Sequence, residues 1–204
     1  MSGEARNEGR RGRGRGARQN RAETEAALME AALRILERDG VLAGLSLQEV
    51  ADEAGVNRGL IHHYFGGRQA LLRAALESRR NAGAERFARV RSRLPEEKEA
   101  WAFRVHARDA TYPRVVTLLA LDGDEEFEPL AYLGQRVEDL ERETAEGRVP
   151  PGIDLPALLV LWDSFMYGYF VMRPAIARQL GVTEAELDRR VMATFALLTG
   201  RSAD

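Results

Sequence analysis

Apolar residues recur along this chain at intervals of three and four, and no stretch alternates apolar with polar residues convincingly, so the sequence asks for helices and predicts no sheet. The first clear stripe is Ala27, Leu28, Ala31, Ala32, Ile35 and Leu36, with Glu23, Glu30, Arg34 and Glu37 lying off it. Asp39-Gly40 stops that helix. Ser46-Leu47-Gln48-Glu49 is a capping box that opens a second helix running to about Ala54, and Gly55 breaks it. A short third helix is expected over about 57–64, and a longer fourth from Arg68 to about Val90, before Pro95. Five more are expected at about 97–108, 114–121, 127–146, 155–172 and 184–198. Their separators are Pro113, the Asp122-Gly123-Asp124 loop, Pro150-Pro151 with its flanking glycines, and Arg173-Pro174 with Gly181. Thr183-Glu184-Ala185-Glu186 is a second capping box. The expectation is an all-α fold of about nine helices.

At 204 residues the chain is long enough to bury a real core in one or two domains. It has no cysteine, which excludes disulfides, thiolate metal sites and a cysteine nucleophile, and suits a reducing cytoplasm. The net charge of −2 conceals two unlike parts: residues 1–80 carry 14 Arg against 11 acids, whereas residues 81–204 carry 15 Arg and Lys98 against 21 acids. The basic excess is sharpest over residues 1–21, with seven Arg against Glu4 and Glu8. Residues 1–20 have no aliphatic side chain larger than alanine beyond Met1, so the composition predicts a disordered Arg/Gly-rich arm. No apolar run follows it as in a secretory signal, and the expected location is cytoplasmic.

The stretch from Ser46 to Tyr64 is either a generic helical hairpin with a solvated face or a DNA-reading helix-turn-helix. Ala51 and Gly55, four apart, allow close crossing of the next helix and a left-handed turn. Val56 and Ile61 plug the angle between the helices with Leu47, Val50 and Ala54. Asn57, Arg58, Gly59, His62 and His63 are left outside, nearly all of them able to address base edges or phosphates. His62 and His63 are neighbours whose side chains diverge by about 100 degrees on a helix, with no third ligand suitably spaced, so no metal or other cofactor is expected.

Arg21-Ala-Glu-Thr-Glu-Ala-Ala-Leu28 through Gly40, and then Leu45-Ser-Leu-Gln-Glu-Val-Ala-Asp-Glu-Ala-Gly-Val-Asn-Arg-Gly-Leu-Ile-His-His-Tyr-Phe-Gly-Gly-Arg-Gln-Ala-Leu-Leu72, resembles the amino-terminal domain of TetR-family transcriptional repressors. The resemblance covers about residues 21–76. It implies a third helix in the DNA major groove, an aromatic pair (here Tyr64-Phe65) that packs and grips phosphate, and a phosphate-binding basic residue opening the fourth helix, here Arg68. The chain departs from the usual pattern at His62, where tyrosine is common, at Tyr64, where histidine is common, and at Gly66-Gly67-Arg68, where Pro-Ser-Lys or similar is common. Phosphate gripping survives such changes; base preference need not. The DNA-binding candidates are therefore Ser46, Asn57, Arg58, Gly59, His62, His63, Tyr64 and Arg68. Arg58 suits guanine or phosphate equally. Phe65 is expected in the core.

The domain organisation that follows is an arm over 1–20, a helix-turn-helix domain over 21–76 whose fourth helix continues to about 90, and a helical ligand-binding and dimerisation domain over 77–204. The helix from Leu155 to Met172 is apolar on every side, and five of the chain's 14 aromatics lie between Trp162 and Phe170. Asp163 near its centre would cost about 3 kcal/mol in a membrane, so no membrane span is expected. A helix of this kind needs a partner over its outer face. The resemblance implies a homodimer through 155–172 and 184–198, and a pocket for a small effector, apolar or aromatic, beneath them. Candidate lining residues are His106, Trp162, Phe165, Met166 and Tyr169, among middle-helix aromatics that include Trp101, Phe103, Tyr112 and Tyr132; Asp163 and Arg104 are possible polar anchors, or a pair.

The implied function is a sequence-specific regulator that binds a palindromic operator on double-stranded DNA. Two other classes stay open. A sequence-blind nucleic-acid-binding or architectural protein could work through the arginine arm, which suits a minor groove, RNA or plain solvent. An enzyme would need a phosphate loop, metal-ligand spacing or a serine elbow, and none is present in the sequence, so none is expected.

Overall fold

The computed structural model describes the backbone of residues 5–40, 44–91 and 95–198, with side chains described from residue 19 onward apart from 84–87, 90–91 and 95–96. Among the described residues there are nine helices and no strand: α1 (Ala5–Asp39), α2 (Leu47–Glu53), α3 (Gly59–Phe65), α4 (Arg68–Arg91), α5 (Pro95–Arg108), α6 (Thr111–Leu121), α7 (Leu133–Ala145), α8 (Leu155–Leu180) and α9 (Glu184–Leu198). The chain divides into two compact units, Met1–Ala82 and Gly83–Asp204, with the division inside α4.

The amino-terminal unit is built on the predicted stripe of α1, where Leu28, Ala31, Ala32, Ile35 and Leu36 are all buried. Val50 and Ala51 of α2, Ile61 of α3 and Leu71 and Leu72 of α4 complete its core. The Ser46 hydroxyl caps α2 by accepting the Glu49 N–H at 3.4 Å. The other half of the expected box is spent elsewhere, because the Glu49 carboxylate takes Arg38 Nη2 at 2.5 Å and Arg34 Nε reaches Glu53 Oε1 at 2.7 Å. Exposed pairs of this kind align α1 with α2 more than they stabilise the unit.

Where composition predicts a disordered arm over residues 1–20, α1 runs back as helix to Ala5. The composition speaks only to packing. Once nucleated on its buried stripe, a helix lengthens by one backbone bond for each residue added. Residues 1–4 lie outside the described residues.

Three boundaries in the carboxy-terminal unit differ from expectation, each for a backbone reason. Pro113 sits in the first turn of α6, where its missing N–H is not needed, rather than between helices. Asp109 Oδ1 accepts the Thr111 N–H at 2.9 Å and so starts that helix earlier. Helix α7 begins only at Leu133, after a turn segment holding Pro129 and a left-handed Tyr132 (φ 55). Helix α8 passes through Pro174 and ends at Gly181, where the Val182 N–H reaches Ala177 O (3.0 Å) and the Gly181 N–H reaches Arg178 O (3.2 Å).

Helix α8 packs against α5, α6, α7 and α9. By length and composition it is also long and apolar enough to cross a membrane. Its two buried charges argue for a protein core instead, since each finds its partner on a neighbouring helix. Asp163 holds Arg136 of α7, and Arg173 holds Asp188 (3.0 Å) and Glu184 (2.7 Å) of α9 and Ala107 O of α5 (3.2 Å).

Candidate functional site

The turn between α2 and α3 closes by two backbone bonds, Val56 N–H to Ala51 O at 2.9 Å and Gly55 N–H to Asp52 O at 3.1 Å. Gly55 has φ 69, a left-handed conformation that favours glycine. Asn57 then caps α3, its Oδ1 accepting the Gly59 N–H at 2.7 Å. A Cβ at position 59 would stand 3.1 Å from that oxygen, so a glycine there protects the cap. Ile61 is buried, which turns Arg58, His62 and His63 outward into solvent. The His62 Nδ1–H donates to Gly66 O at 3.3 Å, leaving Nε2 as an outward acceptor in the neutral ring.

Tyr64 is half-buried, with its ring 5.2 Å from that of His63 and under the Arg21 guanidinium at 5.1 Å. Phe65 is also half-buried, and Arg68 is exposed at the start of α4. Of the eight DNA-binding candidates, six cluster on α3 and its two flanks: Arg58, Gly59, His62, His63, Tyr64 and Arg68. Ser46 and Asn57 instead have their side-chain oxygens committed to helix starts. Arg21 is the residue the motif did not single out. Its i,i+4 partner Glu25 (2.7 Å) marks it as a helix-surface arginine, and only the fold puts it on Tyr64.

The five ligand-lining candidates do not share one wall. Trp162 and Phe165 lie on the α9 side of α8, their rings 5.1 Å and 5.9 Å from Phe195. Tyr169 donates its hydroxyl to Asp188 Oδ1 at 2.5 Å and packs on Phe103 at 5.5 Å. Met166 is buried within the same core cluster. His106 belongs to a different group, stacked with Tyr112 (5.8 Å) and edge-on to Tyr167 (6.4 Å) and close to Phe170 (5.8 Å). Asp163 pairs with Arg136, not with Arg104, through two parallel bonds of 2.7 Å and 2.8 Å. Arg104 is exposed. Tyr167 donates to Pro129 O at 3.2 Å, and burial pushes its phenol well above the ordinary range. Arg136 and Tyr167 went unnoticed in the sequence because Arg136 meets α8 across 27 residues and Tyr167 looks like any other core aromatic.

His106 Nδ1 is buried without a hydrogen-bond partner, and burial holds the ring's pKa down to about 4 against the pull of Asp163 and Asp109. The ring is therefore neutral at physiological pH. Between about pH 6.5 and 4 the unfolded chain binds a proton at this position that the native ring refuses, so stability falls as pH drops through that window. His106→Phe should abolish that component, about 3 kcal/mol, while leaving the difference between the two proteins flat above pH 7. Urea melts of both proteins at pH 4.5, 5.5 and 7.5 check it; parallel curves would show that the ring is solvated.

A short polar helix set outward by a buried isoleucine, behind a left-handed glycine turn, is the arrangement of helix-turn-helix proteins that read DNA. Residues 28–75 match the family model described as bacterial regulatory proteins, tetR family. Relatives include the HTH-type transcriptional regulator BetI of Rhizobium meliloti, 46% identical over 52 residues (26% of this chain and 25% of that protein). BetI of Agrobacterium fabrum is 42% identical over 77 residues (35% of each chain). The matches thus span about a quarter to a third of these relatives' length. Over most of the chain the fold is like that of a solved structure from Rhodococcus sp. assigned to the TetR family of transcriptional regulators (TM-score 0.65, 16% identity, 86% of this chain and 98% of that one). It is also like FadR from Bacillus subtilis solved with stearoyl-CoA (TM-score 0.59, 16% identity, 82% and 95%). The architecture is therefore the TetR-like all-α fold with an amino-terminal helix-turn-helix.

Proposed function

We propose that this protein is a cytoplasmic transcriptional repressor that binds a palindromic operator as a homodimer and leaves it when a small, largely apolar or aromatic effector occupies the carboxy-terminal unit. The carrying observation is the exposed polar face of α3 inside a segment matched to the tetR family. Arg58, His62 and His63 present donors and an acceptor to base edges, while Tyr64 and Arg68 sit where phosphates run, Arg68 at the amide-rich start of α4. Ser46 and Asn57 keep a part in this reading as caps that hold the two helices, and Gly59 as the small residue that lets the backbone approach.

Exposed apolar surface supports the homodimer. Val160, Leu161 and Met172 of α8 are 46%, 70% and 54% exposed and Leu197 of α9 is 69% exposed, although each helix also buries an opposite face. A second copy covering these faces would form a four-helix bundle. The effector chemistry rests on the aromatic interior of the same unit, with the His106, Tyr112 and Tyr167 group a better candidate lining than Trp162 and Phe165, which face α9. No catalytic step enters this reading.

Selection of bound sequences from a random duplex pool tests it. Enrichment of an inverted repeat with half-sites about one helical turn apart, roughly 34–36 Å, is the expected outcome; sequence-blind retention would favour an architectural protein. On the selected operator, Arg68→Ala should weaken binding to all sequences alike, whereas Arg58→Ala should shift preference at one base pair per half-site by about 1–3 kcal/mol. Uniform loss from both would make Arg58 a phosphate contact.

A further inference from the structure

The arginine arm is the strongest charge feature of the chain and plays no part in the helix-turn-helix. Seven arginines lie within residues 1–21 against two glutamates, a net +5 on a protein whose overall charge is −2. Where the arm leaves the unit is fixed by its last arginine. The Arg21 guanidinium stands 5.1 Å from the ring of Tyr64, in the last turn of α3. The helix over residues 5–20 therefore leaves from the same end of the unit as the outward α3 residues and not from its far side. From the start of α1 at Ala5, sixteen residues precede Arg21, about 24 Å of helix at 1.5 Å per residue.

We propose that this arm is a second DNA contact, which grips duplex phosphates beyond the bases read by α3 and adds affinity without adding sequence preference. The inference rests on the DNA-binding reading above. Arginine in a Gly-spaced run suits the role, because each guanidinium neutralises a phosphate while the glycines add no bulk against the backbone. No aromatic residue occurs among residues 1–20, so base stacking on a single strand has no platform there. Duplex phosphate is thus favoured over single-stranded RNA as the occupant.

The test compares the full chain with a variant carrying Gln at Arg10, Arg11, Arg13, Arg15 and Arg18, which keeps the length and leaves Arg21 on Tyr64. Binding is titrated with salt on a selected operator duplex, on a random duplex and on single-stranded RNA. The slope of log K against log salt should fall by about 0.9 for each phosphate given up, a total of about 2 to 4, with at least a tenfold loss of affinity at low salt on both duplexes. Their affinity ratio should stay unchanged. An unaltered slope and affinity on duplex overturns the proposal, as does a loss seen only on RNA or only on the operator. If the full chain itself fails to bind any duplex, the DNA-binding reading falls, and that result is separate from failure of the arm.

Discussion

Arg136→Met should destabilise the carboxy-terminal unit by about 3–5 kcal/mol, because it strands the buried Asp163 carboxylate that Arg136 now holds by two bonds. In a unit of this size the loss corresponds to a fall in Tm of about 10–20 °C, measurable by calorimetry. The stranded carboxylate can escape its penalty only by taking up a proton. The cost should therefore be largest near pH 8 and shrink toward pH 5, the opposite trend to that expected from His106. Adding Asp163→Leu to Arg136→Met should recover most of the stability, since an apolar pair of similar volume removes the uncompensated charge. A loss below about 1 kcal/mol from the single change, with no pH trend, would mean that the pair is hydrated and structurally idle.

The second large effect is expected in the amino-terminal unit. Ile61→Ala should cost the amino-terminal unit about 2–5 kcal/mol, because the side chain is fully buried in the core of that unit. A unit of about 80 residues has only about 4–12 kcal/mol in total, so a large share of its stability is at stake. DNA binding should drop out at 37 °C while the helical signal of the other unit and the sedimentation behaviour of the protein stay close to wild type. Ile61→Val, which keeps the shape, should cost about 1 kcal/mol and retain binding. If the alanine variant binds DNA normally, α3 is positioned by something other than this plug.

The amino-terminal unit was legible because its cues are local. The apolar stripe of α1, the Ser46 cap, the left-handed Gly55 and the outward set of Arg58, His62 and His63 all follow from spacings of three, four or seven residues. Local cues also explain where the reading overshot. Glu49 was expected to close the capping box, but its carboxylate has a charged partner eleven residues away in Arg38. The Oδ1 of Asn57, a DNA-facing candidate by its exposed position, also caps its own helix start. Pro174 was expected to end α8, yet the buried anchors of Arg173 on two other helices carry the chain past the lost bond and the ring clash that a proline brings.

The interior of the carboxy-terminal unit was less legible. Composition marked the aromatics of α8 as important without saying which face each takes. Trp162 and Phe165 turn to Phe195, whereas His106 groups with Tyr112, Tyr167 and Phe170. A helix apolar all round has no hydrophobic periodicity from which to read a face.

By itself the sequence determined that the chain is helical, where its helix-turn-helix lies and which way that helix faces, since backbone propensity, capping and amphipathic periodicity act over one or two turns. The tertiary structure alone decided that Asp163 belongs to Arg136, that Arg21 rests on Tyr64, and that α8 continues to Leu180. Those outcomes depend on groups far apart in sequence, where the cost of an unpaired buried charge, or the room left by a neighbouring helix, outweighs any local preference.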